Sequence, residues 1–218
     1  MSRFPHLQPS PGRGVGPVGA PSRSPAPGVL VVAALDVVAK ATLLTFLGLV
    51  LVDPTWGNLE GKAPFARAVV YPMFAFVVPV IWYLRGQRAP YPWAADLFVT
   101  LACFSDILGN RLDLYDSVAW FDDAIHLVIG MLITGAYLLI SEHDRRALIT
   151  VERAVAFGLT AALVWELFEY AAFVTRSAEL PTAYADTLTD LALGWAGSLL
   201  VALVVVAHRT AARAGPDG

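Results

Sequence analysis

The sequence predicts an all-α protein, a polytopic transmembrane helical bundle of about six helices with both termini in the cytoplasm, and three observations carry that expectation. Six apolar stretches each approach the ~20 residues a helix needs to cross hydrocarbon. The chain is 57% hydrophobic and 15% charged, with a mean hydropathy of +0.61, too apolar for a water-facing surface of 218 residues. Lysine and arginine gather in alternate loops, as the positive-inside rule requires.

Residues 1–28 hold seven prolines and five glycines, with Arg3, Arg13 and Arg23 but no acid. That composition buries too little apolar surface to order itself, so it reads as a flexible cytoplasmic tail. Residues 29–207 read as the six-span membrane domain and 208–218 as a short cytoplasmic tail. The first span, 29–52, starts too late and runs too long for a secretory signal, so it belongs to the mature protein. Its Asp36 and Lys40 are spaced i,i+4, which reads as a neutralised ion pair. The second span is 68–84. The third, 92–108, carries Asp96 as a cap or interface residue, Cys103 as a small buried hydrophobe and Asp106 near its far end. The remaining spans are 121–140, 151–174 and 186–207. Trp56, Trp82, Trp93 and Trp120 fall at span ends, where amphipathic rings prefer the headgroup zone.

Orientation follows from the basic residues. One side collects Arg3, Arg13, Arg23, Arg85, Arg88, Arg145, Arg146, Arg209 and Arg213; the other has Lys62, Arg67, Arg111 and Arg176. The first side is therefore cytoplasmic, and the loops around 53–67, 109–120 and 175–185 face outward. A net charge of -3 gives no surface for nucleic acid, and a single cysteine forms no intrachain disulfide.

With that topology the acids converge. Asp106 ends span three, Asp122 and Asp123 open span four with His126 one turn deeper, and Glu166 and Glu169 lie about 7–12 Å short of the outer end of span five. Asp186 opens span six and Asp190 follows one turn in. Ionisable groups inside a span cost a few kcal/mol each and are usually aimed at a cavity, partner or ion. Seven carboxylates and one imidazole cannot all stay charged side by side without bound cations, shared protons or water. The expected ligands of a divalent metal ion are Asp123, His126, Glu166 and Asp190, with Asp106 and Asp186 beside them; Glu169 or Asp122 is the expected catalytic base. An oxygen-rich set with one histidine suits Mg, Mn, Ca, Fe or Zn. The competing reading is structural: Asp122 and Asp186 as helix caps, and the inner acids as a hydrogen-bond network. Gly130, Gly194 and Gly197 read as close-approach positions between helices.

The runs Phe121-Asp122-Asp123-Ala124-Ile125-His126-Leu127, Trp165-Glu166-Leu167-Phe168-Glu169-Tyr170 and Asp186-Thr187-Leu188-Thr189-Asp190-Leu191, with Gly194 and Gly197, resemble the YjdF-like bacterial inner-membrane proteins. More distantly they are similar to VanZ-like proteins. The resemblance covers about residues 95 to 205 and implies a multi-pass protein of the bacterial cytoplasmic membrane with the site at these positions. It implies no reaction.

Three functions fit the residues: a metal-dependent hydrolase or transferase working on a lipid or lipid-linked envelope substrate, a cation- or proton-coupled transporter, and a structural scaffold with a bound ion. The lipid bilayer is the one necessary partner; no motif requires an oligomer. Neither a P-loop, a dinucleotide fingerprint nor a nucleophilic Ser or Cys motif is present.

Overall fold

The computed structural model describes residues 26–141, 146–178 and 180–214, and every regular element among them is helical. Most of the N-terminal tail, with Arg145 and residues 215–218, lies outside the described residues.

Helix α1, Pro27–Val52, opens with proline at its first turn, where the missing N–H costs nothing, and gives way to a tight turn at Asp53. Next come α2, Pro64–Ala75, and α3, Val77–Leu84, which together make one crossing of 21 residues broken at Phe76. Pro79 explains the break, because it has no N–H to offer the Ala75 carbonyl one turn earlier. Helix α4, Trp93–Arg111, is followed by the single turn α5, Leu114–Ser117, and by α6, Phe121–Ile140, α7, Ala147–Ala172, and α8, Ala183–Arg213. At 31 residues, or about 46 Å, α8 outreaches a hydrocarbon core and carries the last helix six residues past the expected boundary at 207.

Five helical stretches are long and apolar enough to span a membrane. Helix α4 falls short on composition alone, and its surroundings give the reason. It packs against α1, α2 and α6, and its Asp96, Thr100, Asp106 and Asn110 are all buried within the protein. Polar side chains that would be expensive against lipid are cheap against partners.

End-to-end contacts fix an alternating course. Lys62 before α2 meets Asp116 after α4, and Arg67 early in α2 meets Glu169 late in α7. At the opposite end, Arg85 after α3 donates to the Ile140 carbonyl that ends α6, and Arg209 late in α8 donates to Thr150 early in α7. The chain therefore crosses the bundle six times, and both ends of the described chain lie at one end of it. Side chains of Leu35, Val38, Leu163 and Val204 point outward, as lipid-facing positions do.

Helix α8 packs most closely, against α6 and α7. A Cβ at Gly130 would strike the backbone of Gly194, and one at Gly197 would strike the Leu127 carbonyl. Glycine is what lets α6 and α8 touch there. Thr134 bonds Ser198 across the same seam at 2.9 Å. Cys103 sits with Leu43, Leu47, Tyr71 and Ile107 in the α1–α2–α4 core, as a small hydrophobe would.

Candidate functional site: an acidic cavity at one end of the bundle

The first turns of α2, α6 and α8 and the last turns of α4 and α7 enclose a cavity of about 220 Å³. Seven carboxylates line it: Asp106, Asp116, Asp122, Glu166, Glu169, Asp186 and Asp190. They divide into two groups.

The first group is neutralised by protein cations. Arg67, 3% exposed, places Nη1 2.7 Å from Asp106 and Nη2 3.1 Å from Glu169, while its Nε donates to the Lys62 carbonyl at 2.9 Å. Its guanidinium also lies 5.7 Å from the rings of both Trp165 and Phe173. Asp106 accepts further hydrogen bonds from Tyr71 at 2.5 Å, Tyr115 at 2.9 Å and the Asn110 amide at 3.4 Å. Burial, and then the charge of Asp106, push the Tyr115 hydroxyl well above its ordinary value, so it stays a neutral donor. Lys62 pairs with Asp116 at the rim, 2.8 Å apart.

The second group has no Lys or Arg partner among the described residues. His126 stands at its centre, with Nε2 3.5 Å from Asp122 Oδ1 and 3.8 Å from Asp190 Oδ1. These three residues offer ligand atoms that all lie within 4.8 Å of one another. The other ring nitrogen, Nδ1, faces Glu166 Oε1 at 3.9 Å. Asp190 is 4% exposed, opens onto the cavity and makes no side-chain hydrogen bond among the described residues. Buried carboxylates rarely go unbonded without an ion or water to serve them. Ligands about 2.1 Å from one ion lie about 3.0–3.4 Å apart at octahedral or tetrahedral angles. The His126 contacts, at 3.5 and 3.8 Å, stand a little beyond that range, and all three ligand atoms lie within 4.8 Å, so the trio would have to draw together around an ion.

The sequence-derived candidates are thus rearranged. Asp122, expected as a base, stands with the ligand atoms. Asp123, expected as a ligand, is exposed and outside the cavity lining, because the rotation of α6 turns Asp122 inward instead. Asp106, expected beside the metal, is occupied by Arg67 and three hydrogen-bond donors. Glu166 approaches the far nitrogen of His126, and Asp186 stands at the mouth, exposed. Helix α2 supplies Arg67 and Tyr71. A lone arginine beside a loop reads as an orientation charge, and only packing reveals it as the hub of the site.

Fold and site define a multi-pass helical membrane protein with an acidic cavity at one end of its bundle. The family described as "Predicted membrane protein (DUF2238)" matches residues 37–211, and the chain belongs to that family. No curated protein and no solved structure matches it.

Proposed function

We propose that the chain is a metal-dependent membrane hydrolase or transferase whose divalent ion is held by Asp122, His126 and Asp190 and whose substrate is a lipid or lipid-linked envelope molecule. The observation that carries this reading is the His126 ring, with two aspartates on Nε2 and a buried glutamate on Nδ1. That is the arrangement in which an outer carboxylate fixes the tautomer of a metal-binding histidine, so Glu166 orients the ligand instead of being one. A bound divalent ion would supply an activated water and polarise the scissile group. Glu169, gripped by Arg67 through Oε1, has its second oxygen available as general base. Ile129, Trp165, Tyr170, Phe173 and Val174 give the cavity an apolar wall for a lipid-borne group. By the bias of basic residues the cavity faces away from the cytoplasm, with both termini inside, in keeping with the YjdF-like resemblance and a bacterial inner-membrane location.

Metal analysis of the purified protein tests the reading. Near-stoichiometric divalent metal in the wild type, lost in His126→Ala with the fold retained, is expected; a metal-free wild type after loading with Mn²⁺, Mg²⁺ or Zn²⁺ overturns it.

A second reading, a cation- or proton-coupled transporter, is favoured by a buried lysine and two aspartates on α1 and α4. Uptake into proteoliposomes driven by a pH or ion gradient would promote it. Loss of metal together with unfolding would instead favour a scaffold with a structural ion.

A further inference from the structure

A second polar cluster lies between α1 and α4, away from the acidic cavity. Asp36 and Asp96 are each 1% exposed and flank Lys40, itself 9% exposed. Lys40 Nζ lies 2.6 Å from Asp36 Oδ1, 2.8 Å from Asp96 Oδ1 and 2.8 Å from Thr100 Oγ1. Two carboxylates and one ammonium leave a surplus negative charge in a core of apolar side chains, which is costly unless something neutralises it. No other Lys or Arg among the described residues pairs with either carboxylate. The remaining titratable groups facing the cluster are Cys103 from α4 and, through Asp96, Tyr91 from the connection before α4.

The two carboxylates are not equivalent. Asp36 Oδ1 accepts a true hydrogen bond from Lys40, and Thr100 Oγ1 lies 2.9 Å from the same oxygen. Asp96 Oδ1 is buried and meets only Lys40, 2.8 Å away as an ion pair. Asp96 Oδ2 is bound to the Tyr91 hydroxyl at 2.5 Å. Asp36 Oδ1 is therefore served by two donors, whereas Asp96 Oδ1 has the ion pair alone.

We infer that Asp36, Lys40 and Asp96 form an intramembrane proton-binding site, in which Asp96 holds one proton while Lys40 and Asp36 stay paired as ions. The Asp96 carboxylate takes up one proton from water, no other covalent bond changes, the Tyr91–Asp96 hydrogen bond exchanges donor and acceptor, and the cluster becomes neutral. The short contact to Tyr91 is preserved, with Asp96 Oδ2–H donating to the phenol oxygen. Tyr91 is half-buried and belongs to the connection at the end of the bundle opposite the acidic cavity, so it marks the side from which the proton enters. Burial, with the Asp96 hydrogen bond, pushes the Tyr91 hydroxyl above its ordinary value, so Tyr91 bridges as a neutral group. The site requires neither a metal nor the reaction assigned to the cavity.

Infrared difference spectroscopy of the full-length protein in nanodiscs, wild type against variants at neutral pH, reads the proton directly. A carbonyl band of a protonated carboxylic acid is expected in the wild type and lost in Asp96→Asn; it is lost in Asp36→Asn as well, because Lys40 is then left with a single carboxylate and Asp96 ionises to pair with it. Carboxyl bands from the cavity cancel, because neither variant touches it. Absence of any band that depends on Asp96 overturns the assignment. A thermal-unfolding comparison supplies a second reading: Asp96→Asn unfolds at the wild-type midpoint at neutral pH, Lys40→Met lowers the midpoint, and Lys40→Met with Asp36→Asn recovers it. An Asp96→Asn variant as damaged as Lys40→Met would mean that Asp96 is an ionised partner and would overturn the proposal.

Discussion

The two polar clusters of this bundle neutralise buried acids in different ways, and the difference is instructive. Between α1 and α4, Lys40 sits among Asp36, Asp96 and Thr100, and all four side chains are buried. At the other site, Arg67 neutralises only the part of the cavity nearest α2, while Asp122, Glu166, Asp186 and Asp190 share one imidazole and open onto 220 Å³ of space. A buried cluster favours one proton at most; an open one has room for an ion with its water. The same residue types are therefore buried among partners in one place and ranged around open space in the other, and packing decides which.

The largest expected effect breaks the structural half of the acidic end. Arg67→Met leaves Asp106 and Glu169 buried opposite no cation, and the free energy of unfolding, followed by denaturant titration in detergent, should fall by about 3–5 kcal/mol. Arg67→Lys should recover only part of it, since an ammonium cannot serve Asp106, Glu169 and the Lys62 carbonyl as a planar fork does.

Next in size is Gly130→Leu, which forces α6 from α8. Overpacking of this kind costs about 1–3 kcal/mol and should weaken divalent binding, because Asp122 and His126 ride on α6 while Asp190 rides on α8. Mn²⁺ titration beside a stability measurement checks both. The α1–α4 cluster, which does not involve that seam, should keep its infrared signature.

Glu166→Gln sharpens the division within the open half. It should lower divalent affinity by about 10–100-fold and leave the unfolding midpoint unchanged, the response of a group that orients a ligand. Complete loss of metal would return Glu166 to the ligand set.

The smallest effect belongs to neither cluster and serves as a control. The Thr55 hydroxyl and amide beside Asp53 hold its carboxyl below its ordinary value. Stability gained there is present above the unfolded-state value of about 3.9 and is lost as pH falls through the lower folded-state one. Asp53→Asn should remove a slight dependence of the unfolding midpoint on pH in that acid range, with divalent binding untouched.

What could be read from the sequence followed from spacing. An i,i+4 or i,i+3 pair fixes which residues share a helix face, so His126 with an aspartate, Glu166 with Glu169, and Asp36 with Lys40 were legible in advance. Choosing between Asp122 and Asp123 was not, since both spacings suit His126 and only the rotation of α6 against α8 turns one inward. Arg67 was hidden for a related reason: its partners lie 39 and 102 residues away, and no local pattern announces them. Asp96 read as a cap or interface residue because it opens α4, and that it faces Lys40 depends on α1 lying alongside. The weak hydropathy of α4 carried the same information in another form, since a span too polar for lipid has to face protein.

The central claim, an open ion site against a buried ionic one, is tested most directly by following the unfolding free energy of the purified protein as Mn²⁺ is added. Binding to the folded state alone should stabilise the wild type by about 2.7 kcal/mol at one hundred times the dissociation constant. The same rise is expected in Asp36→Asn and none in Asp190→Asn. Equal responses in the wild type and in Asp190→Asn, or no response in either, would contradict it.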